Sequence, residues 1–274
     1  MKKYQILQFL EASNLENSSL WIAEAEFGYS HLKAKIESLQ GENEILEVGC
    51  GSGILLSMLA EEFPQHVFNG IEPFGMGFTQ LNEINAVVRK MGVNLKIEAY
   101  ENHETAVKYD LIYCVNVFEH VDDWRNFIDW AASKLDDGGV FFVICPNYGF
   151  PYESHFRIPI IFNKKITHQL FKQYINSFEQ RNGWVGSWAS LNFVKKKEVR
   201  NFINQKKQPS KFKMQDDLAV IDNLVERVVE DVEFRKRQRF IGGIAVMMKK
   251  IGVFKLIKLF PNYIPYMKLI FYKR

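Results

Sequence analysis

The stretch Ile45–Gly53, which reads Ile-Leu-Glu-Val-Gly-Cys-Gly-Ser-Gly, decides the fold. Its start has the composition of a β-strand, and glycine then occupies every second position. The next segment, Ile54–Phe63, has the apolar spacing of an amphipathic helix. Glycines allow a sharp turn and a close approach to a ligand, and N–H groups at the helix start would face an anionic group. The stretch therefore predicts a ligand-binding cradle between a strand and a helix.

The elements that follow the cradle predict a doubly wound α/β sheet with parallel strands. A second strand, Val67–Ile71, ends at Glu72, about twenty residues beyond the glycines, where a nucleotide-binding fold needs a carboxylate for ribose hydroxyls. Further strands are predicted at Leu95–Ala99, Asp110–Val115 and Val140–Cys145, with helices at Phe78–Met91 and Asp123–Leu135 and a turn at Asp136–Gly139. Strands that alternate with helices are typical of a parallel sheet covered on both faces.

The glycine spacing differs from that of the dinucleotide fingerprint G-x-G-x-x-G. The stretch is not a P-loop either, because no lysine follows the glycines. An acidic residue followed by three alternating glycines resembles motif I of the class I S-adenosylmethionine-dependent methyltransferases of the small-molecule type. The resemblance covers roughly residues 43–147. It implies a Rossmann-like seven-stranded sheet and S-adenosylmethionine (SAM) as cofactor. The cofactor-binding residues that it implies are Glu47, Gly49, Gly51, Gly53, Glu72, Tyr100, Glu101 and Asn116.

Two further segments extend the resemblance. Tyr100 and Glu101 follow the third predicted strand, where the family places residues against the adenine. The segment Asn116–Val121 resembles the family pattern N-x-x-E-H-V, whose first residues border the methionine end of the cofactor. The Asn/Asp-Pro-Pro-Tyr motif of amino methyltransferases does not follow the fourth strand. That departure disfavours nucleic acid and glutamine side chains as acceptors.

Two histidines are the catalytic candidates. Methylation of a hydroxyl requires removal of its proton by a positioned base. His155 lies in a proline-bounded loop after the fifth strand and is the favoured base, the alternative being a solvated lid residue. His120 is the second candidate, with a structural hydrogen-bonding role favoured over proton transfer. The loops contain no Asp/Asn cluster with metal-ligand spacing, so no metal is predicted.

Composition predicts a cytoplasmic protein. The chain has 274 residues, 47% of them hydrophobic, and a formal net charge of +3, too small to indicate a nucleic-acid partner. Neither a signal-peptide h-region nor an apolar run long enough to span a membrane is visible. Three scattered cysteines, Cys50, Cys114 and Cys145, fit small buried residues rather than zinc ligands or disulfides.

The chain is predicted to divide into four regions. Residues 1–40 form an N-terminal helical cap with a helix at Leu20–Leu39, and residues 41–160 form the SAM-binding core. Residues 161–214 form an aromatic-rich insertion or lid that returns to the core through a helix at Lys197–Asn204 and a polar linker at Lys206–Lys213. Residues 215–274 form a basic C-terminal region, in which Gln215–Gln238 reads as one long amphipathic helix and a possible dimer seam.

The end of the chain admits two interpretations. Lysines interrupt apolar runs such as Ile251–Leu259, a pattern typical of a basic amphipathic helix on an anionic membrane surface. The favoured alternative is a helix packed on the sheet, followed by a terminal strand at Tyr266–Tyr272. The first interpretation would place the protein at the inner face of the membrane as a peripheral protein.

The predicted function is SAM-dependent methyl transfer to a small-molecule or lipid-linked acceptor, with O-methylation of a sugar, quinone or secondary metabolite favoured. That last step is an analogy between folds and is weaker than the motifs. Two alternatives stay open on the sequence: a protein or RNA methyltransferase, and a SAM-binding scaffold without catalysis.

Overall fold

The computed structural model describes residues 4–13, 18–73, 82–205, 212–231, 235, 239–252 and 254–274. Seven of the described strands form one mixed sheet in the order β3-β2-β1-β4-β5-β9-β8. These strands are β1 (Glu44–Val48), β2 (Val67–Ile71), β3 (Asn94–Lys96), β4 (Tyr109–Val115), β5 (Leu135–Pro146), β8 (Phe212–Asp216) and β9 (Tyr266–Lys273). A small hairpin pairs β6 (Tyr152–Glu153) with β7 (Ile158–Pro159). The predicted Rossmann-like seven-stranded fold is confirmed.

Helices alternate with the first five strands and then dominate the second half of the chain. In chain order they are α1 (Gln5–Ser13), α2 (Ser18–Glu37), α3 (Ile54–Glu62), α4 (Asn82–Lys90), α5 (Trp124–Lys134), α6 (Lys164–Asn182), α7 (Ser187–Ser190), α8 (Lys196–Gln205), α9 (Ala219–Glu230), α10 (Arg239–Lys250) and α11 (Phe254–Ile257). Short 3-10 turns occupy residues 100–102, 118–120 and 261–263. None of the described helices is both long and apolar enough to cross a bilayer.

The described residues form two compact units. The first contains the described parts of 1–117, 125–142 and 272–274, and the second contains those of 118–124 and 143–271. In the first unit β1 is central and pairs in parallel with β2 on one side and β4 on the other. The chain runs outward from β1 to β3 and then returns to β4, so the strand order reverses between β1 and β4. In sheets of this kind ligands bind at the carboxyl ends of the strands beside such a reversal.

Close packing fixes α2 in the first unit. A Cβ atom added to Gly28 would lie 2.6 Å from Cδ2 of Leu55 in α3 and 3.5 Å from Val115 at the end of β4. The neighbouring Phe27 and His31 are buried and their rings pack edge to face, with 4.7 Å between centroids. Both side chains are therefore packing residues.

An aromatic cluster forms the core of the second unit. It joins the loop after β5 to α6, α7 and the segment that follows α7. Its buried members are Tyr148, Phe156, Ile158, Ile175, Phe178, Trp188 and Leu191. Rings meet in several orientations, including the stacked pair Tyr148 and Phe193 with centroids 4.3 Å apart. The apolar area that such rings remove from water is the main stabilising contribution to a unit of this kind.

The structure differs from the sequence prediction at three strands. Strand β5 begins at Leu135, so the predicted turn at 136–139 lies within a strand, where Gly138 has a φ of 78°. Strand β3 ends at Lys96 rather than at Ala99, and a 3-10 turn begins at Tyr100. Strand β8 was predicted as linker and helix, and α9 consequently begins at Ala219 rather than at Gln215. Its sequence carries little strand signal, since Phe212 alone among its residues is buried.

Other differences concern the two ends of the chain. Helix α1 was not predicted, whereas the terminal strand was, and β9 lies in the sheet between β5 and β8. The predicted helices at Phe78–Met91 and Gln215–Gln238 and the linker at Lys206–Lys213 extend into 74–81, 206–211, 232–234 and 236–238, which lie outside the described residues.

We expect Gly53→Ala to destabilise the fold more than Gly41→Ala. Both glycines have a left-handed φ, 78° and 72°, so each substitution costs about 1–2 kcal/mol of backbone strain. A Cβ at Gly53 would also lie 2.9 Å from Val88 and Leu95, whereas none of the described atoms lies within 4 Å of a Cβ at Gly41. Overpacking should add about 1–3 kcal/mol. Urea unfolding of both variants measures the difference, and equal losses would contradict the packing argument.

Candidate active site

The glycine turn after β1 is held against β2. Gly49, Gly51 and Gly53 all have positive φ, at 71°, 52° and 78°. The N–H groups of Gly49 and Cys50 donate to the carbonyl oxygen of Ile71 at 2.8 and 3.2 Å. A Cβ at Gly49 would clash with the side chain of Val117, just after β4. The turn therefore meets the end of β4 at the reversal of strand order.

Glu72 closes the glycine turn. Its carboxylate is buried, and Oε2 accepts the Gly51 N–H at 2.8 Å. The Gly51 N–H, which precedes the start of α3, therefore donates to the protein's own carboxylate, and the prediction that the N–H groups at the helix start face an anionic group stays a prediction. Asn85 donates to the Gly51 carbonyl at 3.2 Å. A carboxylate offers about four lone-pair sites, so Glu72 can still accept from hydroxyl groups.

Glu47 is a second buried carboxyl at the same edge of the sheet. The Tyr113 hydroxyl donates to its Oε2 at 3.0 Å. Burial raises the pKa of Glu47 to about 8, Glu72 adds to the rise, and the Tyr113 hydrogen bond opposes it. A buried acid of this kind is stabilised in its charged form when a cation binds next to it.

Cys50 lies inside the turn. It is a free, buried thiol, and its Sγ would be 2.9 Å from a Cβ at Gly70 of β2. Burial raises the pKa of Cys50 well above its usual value, and the charges of Glu47 and Glu72 raise it further. The prediction that this cysteine is a small buried residue is confirmed.

The remaining candidates for cofactor binding lie in different environments. Tyr100 is buried with its ring against Phe127 and Trp130, at centroid distances of 4.7 and 5.3 Å, whereas Glu101 is exposed. The ring of Tyr100 is thus part of the core, and its stacking on adenine stays a prediction. Asn116 has a φ of 55° and donates through Nδ2 to Glu24 of α2 at 3.3 Å. Sequence reasoning missed Glu24 because its partner Asn116 lies 92 residues further along the chain.

In the second unit the structure brings Glu119, His120 and His155 together. One potential ligand atom from each lies within 4.8 Å of the others, a grouping that could hold a metal ion. His155 Nε2 is 3.8 Å from Glu119 Oε1, and the two imidazole rings are 5.5 Å apart. The sequence argument against a metal considered Asp and Asn spacing within loops, and it could not detect a cluster formed between two distant loops.

Glu153 fixes the orientation of His155. Its buried carboxylate contacts His155 Nδ1 at 2.7 Å and accepts from the backbone N–H of Phe156 at 2.6 Å and the Tyr148 hydroxyl at 3.2 Å. Burial acts to raise the pKa of Glu153, but His155 and the backbone N–H groups outweigh it and hold the pKa below the usual value. Glu153 is therefore anionic, which places the proton of neutral His155 on Nδ1 and the lone pair on Nε2.

The surroundings of Glu119 and His120 differ from those of Glu153 and His155. Glu119 is fully buried, neither of its oxygens has a hydrogen-bond partner within the described part of the chain, and burial raises its pKa to about 7. Nδ1 of His120 lies 2.8 Å from Ser190 Oγ, whose own proton goes to the Ser187 carbonyl. His120 Nδ1 is therefore the donor. Burial lowers the pKa of His120 to about 3 and keeps it neutral, which favours a structural role over proton transfer.

Asn192 holds the loop that carries Glu119 and His120. Its Nδ2 donates to the carbonyls of Phe118 and Val121 at 2.7 and 2.8 Å, and its N–H donates to the Glu119 carbonyl at 2.7 Å. These bonds satisfy backbone groups of a segment without regular pairing. Sequence reasoning treated Asn192 only as part of the return to the core, since its partners lie far away along the chain.

The chain also matches a known protein family. A family model described as a methyltransferase domain matches residues 23–205, about two thirds of the chain. The chain belongs to the methyltransferase domain family. The predicted recognition as a class I enzyme is confirmed, and the matched region includes the glycine turn, Glu72 and the Glu119–His120 loop.

Individual relatives of this methyltransferase give less detail. It is 28% identical over 232 residues to an uncharacterised protein of Mycobacterium tuberculosis, a match that covers 83% of this chain and 78% of that protein. It is 33% identical over 106 residues to the ubiquinone biosynthesis O-methyltransferase of Yersinia pestis, covering 37% of this chain and 42% of that enzyme. The structure of a plantazolicin methyltransferase in complex with S-adenosylhomocysteine (SAH) aligns with this chain with a TM-score of 0.52 and 11% identity. The alignment covers 98% of this chain and 91% of that one. At such identity the structural likeness supports the fold alone.

We expect Glu47→Gln to change how the stability of this methyltransferase depends on pH. Folding raises the pKa of Glu47 from 4.5 to about 8, so the folded protein retains a proton that the unfolded chain releases. This contribution to stability is lost as pH rises from about 5 to 8. Across that window Glu47→Gln should gain roughly 3–4 kcal/mol relative to the wild type, since one pKa unit corresponds to about 1.4 kcal/mol.

Urea unfolding at several pH values measures this change, with the exposed Glu101→Gln as a matched control. A difference between wild type and Glu47→Gln that is constant across the window would mean that Glu47 is not the protonated group.

Proposed function

We propose that the protein transfers a methyl group from SAM to a hydroxyl of a small-molecule or lipid-linked acceptor, with His155 as the general base. The observation that carries the proposal is the buried, anionic Glu153 at Nδ1 of His155. A carboxylate in this position orients an imidazole and stabilises its protonated form. The SAH in the plantazolicin methyltransferase structure and the name of the Yersinia pestis relative support the cofactor and the O-methylation, respectively.

The polar groups around the glycine turn of the first unit fit SAM. The cofactor carries two cationic groups, the sulfonium and the ammonium, and a ribose diol. A buried acid, Glu47, suits a cationic group, and Glu72 suits the diol because a carboxylate is acceptor-only. The glycine turn exposes backbone without a Cβ, and Asn116 offers an amide at the end of β4. When bound, SAM supplies a methyl group on a sulfonium whose leaving group is neutral.

The base that removes the acceptor's hydroxyl proton would be His155 of the second unit. His155 Nε2 would accept the proton of the acceptor's hydroxyl. The positive charge on the imidazole is then stabilised by Glu153 at Nδ1 and by Glu119, 3.8 Å from Nε2. His120, neutral and bonded to Ser190, packs against the His155 ring and limits its movement.

We expect Glu72→Ala to weaken binding of S-adenosylhomocysteine strongly. The carboxylate both closes the glycine turn and accepts from the ribose, so its loss removes two contributions. Calorimetric titration of the wild type should give micromolar affinity, about 8 kcal/mol, and Glu72→Ala should lose on the order of 2–3 kcal/mol. Glu104→Ala, at an exposed carboxyl, should bind like the wild type. A folded wild type that does not bind would refute the cofactor assignment.

We expect His155→Ala to lower turnover by about 10²- to 10⁴-fold while S-adenosylhomocysteine binding is unchanged, since a general base contributes this much. Transfer of labelled methyl from SAM into the small-molecule and lipid fractions of a cell extract measures turnover. His168→Ala, at a half-buried histidine stacked on Trp188, is the matched control. Unchanged transfer in His155→Ala would remove His155 from the mechanism.

The same assay decides among the other interpretations of the site. Transfer that continues in the presence of a chelator is expected, whereas its loss would assign Glu119, His120 and His155 to a metal. Label in protein or RNA would overturn the proposed acceptor class. Binding of S-adenosylhomocysteine without any transfer would favour a scaffold.

A further inference from the structure

The segment 244–263 exposes an unusual amount of apolar side chain. Of the fifteen large hydrophobic residues that are exposed among the described residues, seven lie in this segment. They are Ile244, Met247, Ile251, Leu256, Leu259, Phe260 and Tyr263, with exposed fractions between 45% and 70%. Single exposed apolar residues are ordinary, but a concentration of this kind marks an interaction surface.

The helix geometry explains why these side chains face outward. Helix α10 packs against α9. Ile244, Met247 and Ile251 recur at steps of three and four residues and so form a stripe along α10 and the turn that follows it. The stripe is exposed although the helix already has a packed partner. The segment is therefore apolar on a face that contributes little to the core of its unit.

The charged residues of the C-terminal segment itself all have one sign. Residues 235–274 contain eleven Lys and Arg and no Asp or Glu, whereas the whole chain has a net charge of only +3. Lys249 and Lys250 are exposed at the end of α10. The Lys258 ammonium is partly exposed and pairs with Asp222 of α9 at 2.6 Å. The segment is therefore both apolar and rich in cationic residues.

We propose that the surface formed by the described residues of 244–263 docks on an anionic lipid bilayer. Apolar side chains enter the interface and flanking lysines attract anionic headgroups, which is how an amphipathic segment lies on a membrane without crossing it. A second copy of the chain is a poorer partner, because pairing this surface with itself would bring two cationic segments together. Nucleic acid would use the lysines but not the apolar stripe. The proposal goes beyond the transfer reaction and does not depend on it.

Co-sedimentation of the full chain with vesicles tests the proposal. The probes are phosphatidylcholine vesicles with and without about one third phosphatidylglycerol. We expect binding to the anionic vesicles, weakened by salt, and little binding to the neutral ones. Lys249→Gln with Lys250→Gln should reduce binding on the order of tenfold, because each lysine near an anionic surface contributes separately. Met247→Gln with Leu259→Gln should reduce it similarly.

Matched controls separate this surface from general charge and hydrophobicity. Two double variants serve as controls, and both change exposed residues of α6 or of the segment after it. One combines Lys165→Gln with Lys172→Gln, and the other combines Leu170→Gln with Val185→Gln. Both should bind like the wild type. Unchanged circular dichroism and S-adenosylhomocysteine binding establish that the test variants fold. Absence of vesicle binding, or an equal loss in the controls, would overturn the proposal. Light scattering that shows a wild-type dimer and a monomeric Met247→Gln/Leu259→Gln variant would reassign the surface to self-association.

Discussion

The first unit depends on the close approach of the glycine turn after β1 to the residue that follows β4. Gly49 has no Cβ, so Val117 occupies the space that any other side chain would fill. The same turn is bonded to the last carbonyl of β2. Three strand ends are thereby tied together at the reversal of strand order. Asn116 acquires its left-handed backbone at this junction, and the chain continues from it directly into the loop of Glu119 and His120.

Three buried carboxyls show how environment decides the role of one functional group. Glu47 and Glu119 are buried with few donors, so their pKa values rise to about 8 and about 7. Glu153 is equally buried, but backbone N–H groups and His155 hold its pKa below the usual value. Burial alone favours the neutral acid, and donors directed at the oxygens favour the anion. Acids separated in this way can take different roles in one protein.

Local patterns were sufficient for most of the fold. Glycines at alternate positions and apolar runs of strand or helix period depend on neighbours in the chain, so β1, β2, β4, α3 and α5 could be predicted. Strand β8 could not, because a strand with one buried residue has almost no alternation to detect. The same limit applies to the site. Asn192 bonds to carbonyl groups more than 70 residues away along the chain, and Glu153 bonds to groups within five residues that no periodic pattern marks.

The position of Cys50 in the glycine turn has a consequence for the resistance of that turn to alkylation. Its thiol lies in the turn that is proposed to hold an alkylating sulfonium. A thiolate there would be the strongest nucleophile in the turn and a target for self-methylation. Burial and the charges of Glu47 and Glu72 keep the sulfur protonated, and the protonated thiol is the unreactive form. The acids that suit the cofactor's cationic and hydroxyl groups would thereby also protect the turn from the cofactor's own reactivity.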